Sequence, residues 1–302
     1  MKTLSQSPLS DLLSWGMQEL KALGPLEARV NAERLLEEIT GLARHEIYSG
    51  ETDETTDRKF RRLVGQRKKR IPLAYLVGKA YFWNETLEVE PGCLIPRPET
   101  ETLVERFIEK SGFPANGQFQ FLDSGCGSGA IGIALLRHFP NAEAVFCDIS
   151  EKALEVTRRN LKRYGLSTRA QVVKSDLFEN LTGPGPIEKN RMGPGPVSAK
   201  WDAILSNPPY LGASDWKVLE PEILFEPREA LDGGNDGLGF YRRIAREAGP
   251  FLRREGRLVL EAGIFQAEKI SDLLSQTKLF REIQIFKDSI GIDRVVMARL
   301  GS

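Results

Sequence analysis

Histidine and cysteine are scarce in this chain, and neither is grouped. The two histidines, His45 and His138, stand far apart without ligand-like partners, which argues against a metal site. The three cysteines, Cys93, Cys126 and Cys147, are an odd number with no Cys-x-x-Cys spacing. That argues against a disulfide framework, and free thiols suit a cytosolic chain. Neither sign of charge prevails: Lys plus Arg and Asp plus Glu both number 42. A global basic footprint for nucleic acid is therefore absent, which disfavours direct nucleic-acid binding. No apolar run approaches the length of a membrane span. The first residues, Met1 to Gln6, lack the apolar core of a signal peptide. These absences predict a cytoplasmic protein with no membrane partner.

What is present suits a folded enzyme. At 302 residues, 41% hydrophobic and 28% charged, the chain predicts a globular protein of two domains. From Ser10 to about Arg70 the pattern is helical. Leu12, Leu13, Met17 and Leu20 recur at helical spacing behind Ser10 as an N-cap, and Leu26, Val30, Leu35, Leu36 and Ile39 repeat the stripe up to Gly41. A third helical stretch, Asp57 to Arg70, is strongly basic. Each residue of it reads as solvated face, and the cluster as a surface for a macromolecular partner. Ala80 to Trp83 and Leu87 to Glu90 form a hairpin, and Thr100 stands where it can cap a helix over Leu103 to Glu109. From Phe119 strands alternate with helices, the pattern of a mostly parallel sheet covered on both faces. A segment over 183–200 holds Gly-Pro-Gly-Pro twice and reads as a surface insertion. The expected division is a helical domain over 1–78, a hairpin connector over 79–98 and an α/β domain over 99–302.

Two loops carry the chemistry. The run Trp201 to Leu205 reads as a buried strand that stops at Ser206-Asn207-Pro208-Pro209-Tyr210, because consecutive prolines end it. Asn207 and the Pro208 carbonyl are then held just past a strand end, where open α/β sheets place their ligands. An amide oxygen and a fixed carbonyl together suit a group with two N–H donors, and Tyr210 adds a flat wall. The second loop, Asp123-Ser124-Gly125-Cys126-Gly127-Ser128-Gly129, lies between the first strand and its helix, and Asp148 ends the second strand. Glycines there let backbone N–H groups approach a ligand, and the acidic residue can accept from ribose hydroxyls. The run also fits a dinucleotide fingerprint. Asp123, read as facing the loop, favours a cationic adenosyl-amino-acid ligand over a pyrophosphate. With strand order 3-2-1-4-5, the two loops face each other across one crevice. Asp176-Leu177 after the third strand can then hold an adenine edge and face.

The chain resembles the HemK/PrmC family, the protein-(glutamine-N5) methyltransferases of peptide chain release factors. The resemblance rests on Pro72 to Leu76, Leu94 to Glu101 (Leu-Ile-Pro-Arg-Pro-Glu-Thr-Glu), Asp123 to Gly129, Asn207 to Tyr210, Glu226 to Gly234 and Asp293 to Val296. It implies a Rossmann-like class I methyltransferase domain with a seven-stranded, mostly parallel sheet, preceded by a small helical domain and a β-hairpin. It implies S-adenosyl-L-methionine as cofactor, held by Asp123, Gly125, Cys126, Gly127, Ser128, Gly129, Asp148, Asp176, Leu177 and Asn207. It implies as substrate the glutamine of a Gly-Gly-Gln motif in release factors, gripped by Asn207, Pro208, Pro209 and Tyr210, with Asn207, Pro208 and Tyr210 carrying the catalysis. Ser124-Gly125-Cys126 departs from the commoner Leu-Gly-Thr. Alternatives are a glutamine methyltransferase of a ribosomal protein, a DNA adenine N6-methyltransferase, and a non-catalytic sensor of the cofactor.

Overall fold

The computed structural model describes residues 7–181 and 200–301. Both Gly-Pro-Gly-Pro runs of the expected insertion, at 183–186 and 193–196, lie outside them. The chain divides into two compact units, Met1–Lys79 with Glu220–Phe225, and Ala80–Leu219 with Glu226–Ser302.

The first unit is helical: α1 (Leu9–Glu19), α2 (Pro25–Thr40), α3 (Arg44–Ile47), α4 (Glu54–Lys68) and α5 (Leu73–Val77). A two-residue antiparallel pair, β1 (Ser7–Pro8) with β2 (Glu51–Thr52), ties its start. Helix α1 begins after Pro8, so Ser10 lies inside the first turn and is not the cap. Gly41 does end α2, in the left-handed conformation. The buried stripe of α2 runs through Ala28, Ala32, Leu35 and Leu36, while Leu26 and Val30 are exposed, against expectation. Alanines fill the close approach of α2 to its neighbours, and the larger residues two positions earlier, Leu26 and Val30, face outward. The basic run on α4 is not uniformly solvated. Arg67 is buried and donates to Asn31 Oδ1 at 2.6 Å, Glu27 at 2.8 Å and Glu222 at 2.8 Å.

From the last residue of the first unit's opening segment a short hairpin, β3 (Lys79–Phe82) and β4 (Glu85–Glu88), leads to α6 (Glu101–Lys110) in the second unit. Then β5 (Gln120–Ser124), α7 (Ala130–His138), β6 (Glu143–Asp148), α8 (Glu151–Arg163) and β7 (Ala170–Lys174) alternate. The chain continues through β8 (Trp201–Ser206), α9 (Gly239–Glu247), β9 (Leu252–Glu261), α10 (Ala267–Gln276), β10 (Phe280–Lys287) and β11 (Asp293–Leu300). The sheet order is β10-β11-β9-β8-β5-β6-β7, with only β11 running against its neighbours. The expected 3-2-1-4-5 arrangement is present as β7-β6-β5-β8-β9.

Period-two geometry splits each strand between two apolar layers. Phe121, Phe146, Leu205, Val259 and Met297 pack with α6 and α7 on one face, whereas Leu122, Val145, Ile204, Leu260 and Val296 pack with α9 and α10 on the other. The runs Ala144 to Cys147 and Ala203 to Leu205 are continuously apolar because both faces are covered. Helix α7 lies very close to the sheet. A Cβ on Gly132 would sit 2.2 Å from the Phe146 ring and 3.0 Å from Asp123 Oδ2. Gly132→Ala therefore overpacks this contact, and a net loss of about 1–3 kcal/mol is expected despite alanine's better helix propensity. The urea midpoint measures it, and a midpoint at or above wild type would show that α7 shifts freely.

Candidate active site

Strands β5 and β8 are parallel neighbours in a register that pairs Ser124 with Ser206. The Ser206 hydroxyl donates to the Ser124 carbonyl at 2.7 Å. The loops that follow them leave the sheet side by side and wall one cavity of about 870 Å³ of empty space, its open mouth included. Gly125 and Gly127 line it from the loop after β5, Asp148 from the end of β6, Asp176 and Leu177 from beyond β7, and Asn207, Pro208 and Pro209 from beyond β8. Gly125 and Gly127 have φ of 70° and 56°, and an added Cβ would meet nothing within 4 Å at either. Glycine is required there by the sign of φ and not by crowding.

Four of the expected cofactor residues lie behind the wall and not on it: Asp123, Cys126, Ser128 and Gly129. Asp123 is fully buried, with Oδ2 accepting the Gly132 N–H at 2.9 Å and Oδ1 without a hydrogen-bond partner. It anchors the first turn of α7 and does not face the loop as expected. Burial pushes its pKa up to about 7, against the bond from Gly132. Cys126 is buried with Sγ 3.5 Å from the Thr157 hydroxyl, and burial raises its thiol pKa. The buried Ser128 offers its carbonyl to Asn160 Nδ2 at 3.0 Å. Gly129, at φ 82°, starts α7. An alternating sequence of small residues does not reveal which of them turn inward.

Asp148 meets the expectation that it faces the cavity. Its Oδ2 accepts from Gly127 N–H and its Oδ1 from Ser150 N–H, both at 2.9 Å, which leaves each oxygen a further lone pair. Burial is the largest influence on it and raises its pKa. Asp176 accepts from Arg243 Nη1 at 2.9 Å. Leu177 holds a left-handed φ of 48°, a local strain of the kind found at ligand sites.

Asn207 Nδ2 donates to Thr100 Oγ1 at 3.0 Å. Thr100 stands at the start of α6 but makes no side-chain cap. Its hydroxyl serves the site, a role that the capping expectation missed. Tyr210 lies off the main cavity, in a smaller recess with Leu94, Arg97, Asn207, Ala230 and Leu231. Its carbonyl accepts from Gln266 Nε2 at 2.9 Å. Burial, helped by Glu261, pushes its phenol up to about 12, so it stays neutral near pH 7.

Other wall residues carried no chemical signal of their own, including Gly92, Leu94, Pro227, Glu229, Ala230 and Phe240. Several belong to the runs Leu94 to Glu101 and Glu226 to Gly234, which are joined in space. Glu226 is buried, pairs with Arg97 across 129 positions of sequence, and accepts the Ile95 N–H at 3.0 Å. The second run also backs the proline corner: Leu211 N–H donates to Leu231 O, and Gly233 N–H to Leu211 O, both at 2.9 Å. A Cβ on Gly233 would sit 2.8 Å from the Pro209 carbonyl. Among the described residues no three His, Cys, Asp or Glu side chains group as metal ligands. Also among them, no helix is long and apolar enough to cross a membrane.

Comparisons with known proteins agree with this architecture. The family model of the Methyltransferase small domain matches residues 99–235, and that of the PrmC N-terminal domain matches residues 11–78. The release factor glutamine methyltransferase of Geobacter sulfurreducens is 36% identical over 294 residues, 96% of this chain and 96% of that protein. That of Gloeobacter violaceus is 36% identical over 281 residues, 90% of this chain and 92% of that protein. The 16S rRNA N2 G1207 methyltransferase of T. Thermophilus, solved with AdoMet and guanosine, has the same fold. It is 22% identical with a TM-score of 0.53, over 74% of this chain and 49% of that one.

Buried acids set a pH dependence of stability, with Asp148 acting in the same direction as Asp123 and Glu261. Asp123 and Glu261 rise to about 7 in the folded chain from ordinary values of 3.8 and 4.5. The folded chain keeps protons that the unfolded chain has released, so their contribution is full below pH of about 4 and is lost as pH rises through about 7. Urea midpoints measured from pH 5 to 8 should fall with pH, and Asp123→Asn should flatten the fall. An equal slope in the variant would remove Asp123 from this account.

Proposed function

The chain belongs to the release factor glutamine methyltransferases, and from that membership we propose how its residues divide the reaction and which protein it modifies. The activity is transfer of a methyl group to the side-chain N5 of a glutamine. S-adenosylmethionine supplies that methyl as an electrophilic sulfonium substituent. The residues present suit this group. Positive-φ glycines face open space, Asp148 has spare acceptor capacity, and Leu177 and Phe240 give apolar wall. Asp123, buried behind the loop with Oδ1 unpartnered and a pKa of about 7, adds negative potential suited to a cation in its ionised form.

In this reading Asp148 accepts from ribose hydroxyls, and Asp176 and Leu177 hold the adenine edge and face. The glycine loop from Gly125 to Gly129 carries the amino-acid portion. Asp123, Cys126, Ser128 and Gly129 support that loop from behind. The observation that carries the proposal is the pinned amide of Asn207: with Nδ2 engaged by Thr100, Oδ1 is left as the free acceptor. Oδ1 and the Pro208 carbonyl accept the two N–H groups of the glutamine carboxamide, while Pro209 and Tyr210 wall it. An amide nitrogen is a weak nucleophile because its lone pair is delocalised. The pocket's work is therefore orientation, a contribution worth up to about 7–11 kcal/mol in well-aligned systems.

The protein substrate in this proposal is a peptide chain release factor, through the glutamine of its Gly-Gly-Gln motif. The helical region 1–78 is its docking domain, with exposed Arg58, Lys59 and Arg62 on α4 as contact residues. The hairpin region 79–98 joins it to the catalytic domain 99–302. The site of action is the cytoplasm, and nucleic acid is not bound directly.

Asn207→Ala should keep cofactor affinity by calorimetry yet lose about a hundredfold or more in transfer to a release factor. Normal turnover would refute the pocket assignment. Asp148→Ala should weaken S-adenosylmethionine binding by about 1.5–3 kcal/mol for each bond lost. Unchanged affinity would rule out the ribose role.

A further inference from the structure

Glu261 ends β9 with its side chain fully buried, and neither carboxylate oxygen has a formed hydrogen bond. Ser206 pairs with Leu260 in the parallel register, so Asn207 and Glu261 are the next residues of adjacent strands, and Thr100, bonded to Asn207, is the hydroxyl that lowers the Glu261 pKa. The same Thr100 oxygen accepts the 3.0 Å bond from Asn207 Nδ2. A hydroxyl has one proton and can equally donate to an amide oxygen or accept from an amide nitrogen. Thr100 alone therefore leaves the orientation of Asn207 open. An ionised carboxylate beyond it closes the choice. The carboxylate only accepts, so it claims the hydroxyl proton, and Thr100 must then accept from Nδ2.

We propose that Glu261 is a positioning residue that acts through Thr100 to hold Asn207 with Nδ2 inward and Oδ1 towards the substrate carboxamide. The inference rests on the pocket reading above and deepens it. A neutral Glu261 would donate to Thr100 and free the hydroxyl proton for Asn207 Oδ1. The turned amide would then present N–H groups to a substrate that also presents N–H groups.

The surroundings set where this happens. Burial raises the Glu261 pKa to about 7; Glu99 adds to the rise, while Thr100, Arg294 and Arg97 oppose it. Arg294 comes from β11, and Arg97, Glu99 and Thr100 come from the segment that leads into α6. The phenols of Tyr210, after β8, and Tyr241, on α9, also face it, and both are kept neutral by burial. The correctly held amide therefore gains population as pH rises through about 7.

The test compares wild type with Asn207→Ala, Thr100→Val, Thr100→Ser and Glu261→Gln in the full chain. Three readouts are taken: methyl transfer to a release factor, S-adenosylmethionine affinity by calorimetry, and the Asn207 side-chain amide signals by 15N NMR without cofactor. Thr100→Val and Glu261→Gln should lose about ten- to a hundredfold in kcat with unchanged cofactor affinity, and Thr100→Ser should stay within about threefold of wild type. The wild-type amide signals should titrate near pH 7, together with a limb in the rate profile, and both should vanish in Glu261→Gln. Wild-type kcat in Thr100→Val and Glu261→Gln, or an amide titration unchanged by Glu261→Gln, overturns the inference. If those variants stay active while Asn207→Ala is dead, only this inference falls. If Asn207→Ala is active too, the pocket reading falls with it.

Discussion

The parallel pairing of β5 with β8 is the constraint on which everything else in the second unit depends. Ser124 and Ser206 end these strands in register, so the glycine loop and the proline corner emerge at the same height and next to each other. Each loop is then stiffened by its own means. Positive-φ glycines shape the first, and two prolines with a backing strand-like bridge to the Glu226–Gly234 run shape the second. A one-residue slip in this pairing would move every side chain on β8 to the opposite layer. The two apolar layers make that costly, because Ile204 and Leu205 belong to different ones.

Around this junction stand three carboxylates shielded from solvent. Asp123, Asp148 and Glu261 all have raised pKa values, with burial as the leading cause in each. Their roles differ by what they can reach. Asp148 is on the cavity wall, Asp123 is behind the glycine loop, and Glu261 is buried at the end of β9 beside β8. Buried carboxylates without full partners are destabilising, and such costs concentrate where a ligand or a reaction benefits. The structural hydrogen bonds lie in a ring further out. Asn160 ties β4 to the glycine loop, and Glu226 ties the two long family runs together.

Much of this was legible in the sequence because the signals were local. Strand length, the doubled proline and glycine spacing all act within a few residues, and both loops fall where those signals put them, while the hairpin's second strand runs Glu85–Glu88 and not Leu87 to Glu90. The strand order followed from topology rules for doubly wound sheets. What escaped was side-chain direction. Cys126 and Ser128 sit in the glycine loop yet turn away from the cavity, and Asp123 turns under α7. Thr100 carried the pattern of a helix cap and instead bonds a residue 107 positions away. Arg67 carried the pattern of a solvated charge and is buried in a network with Asn31, Glu27 and Glu222.

By itself, then, the amino-acid sequence determined the element types, the doubly wound architecture and the two loops that carry the chemistry. Periodicity and backbone-restricting residues act through neighbours in the chain. Only the tertiary structure decided which polar atoms share a site: Asn207 with Thr100, Arg97 with Glu226. These partners lie far apart in sequence, and hydrogen bonds of about 3 Å are set by packing, which no local pattern encodes.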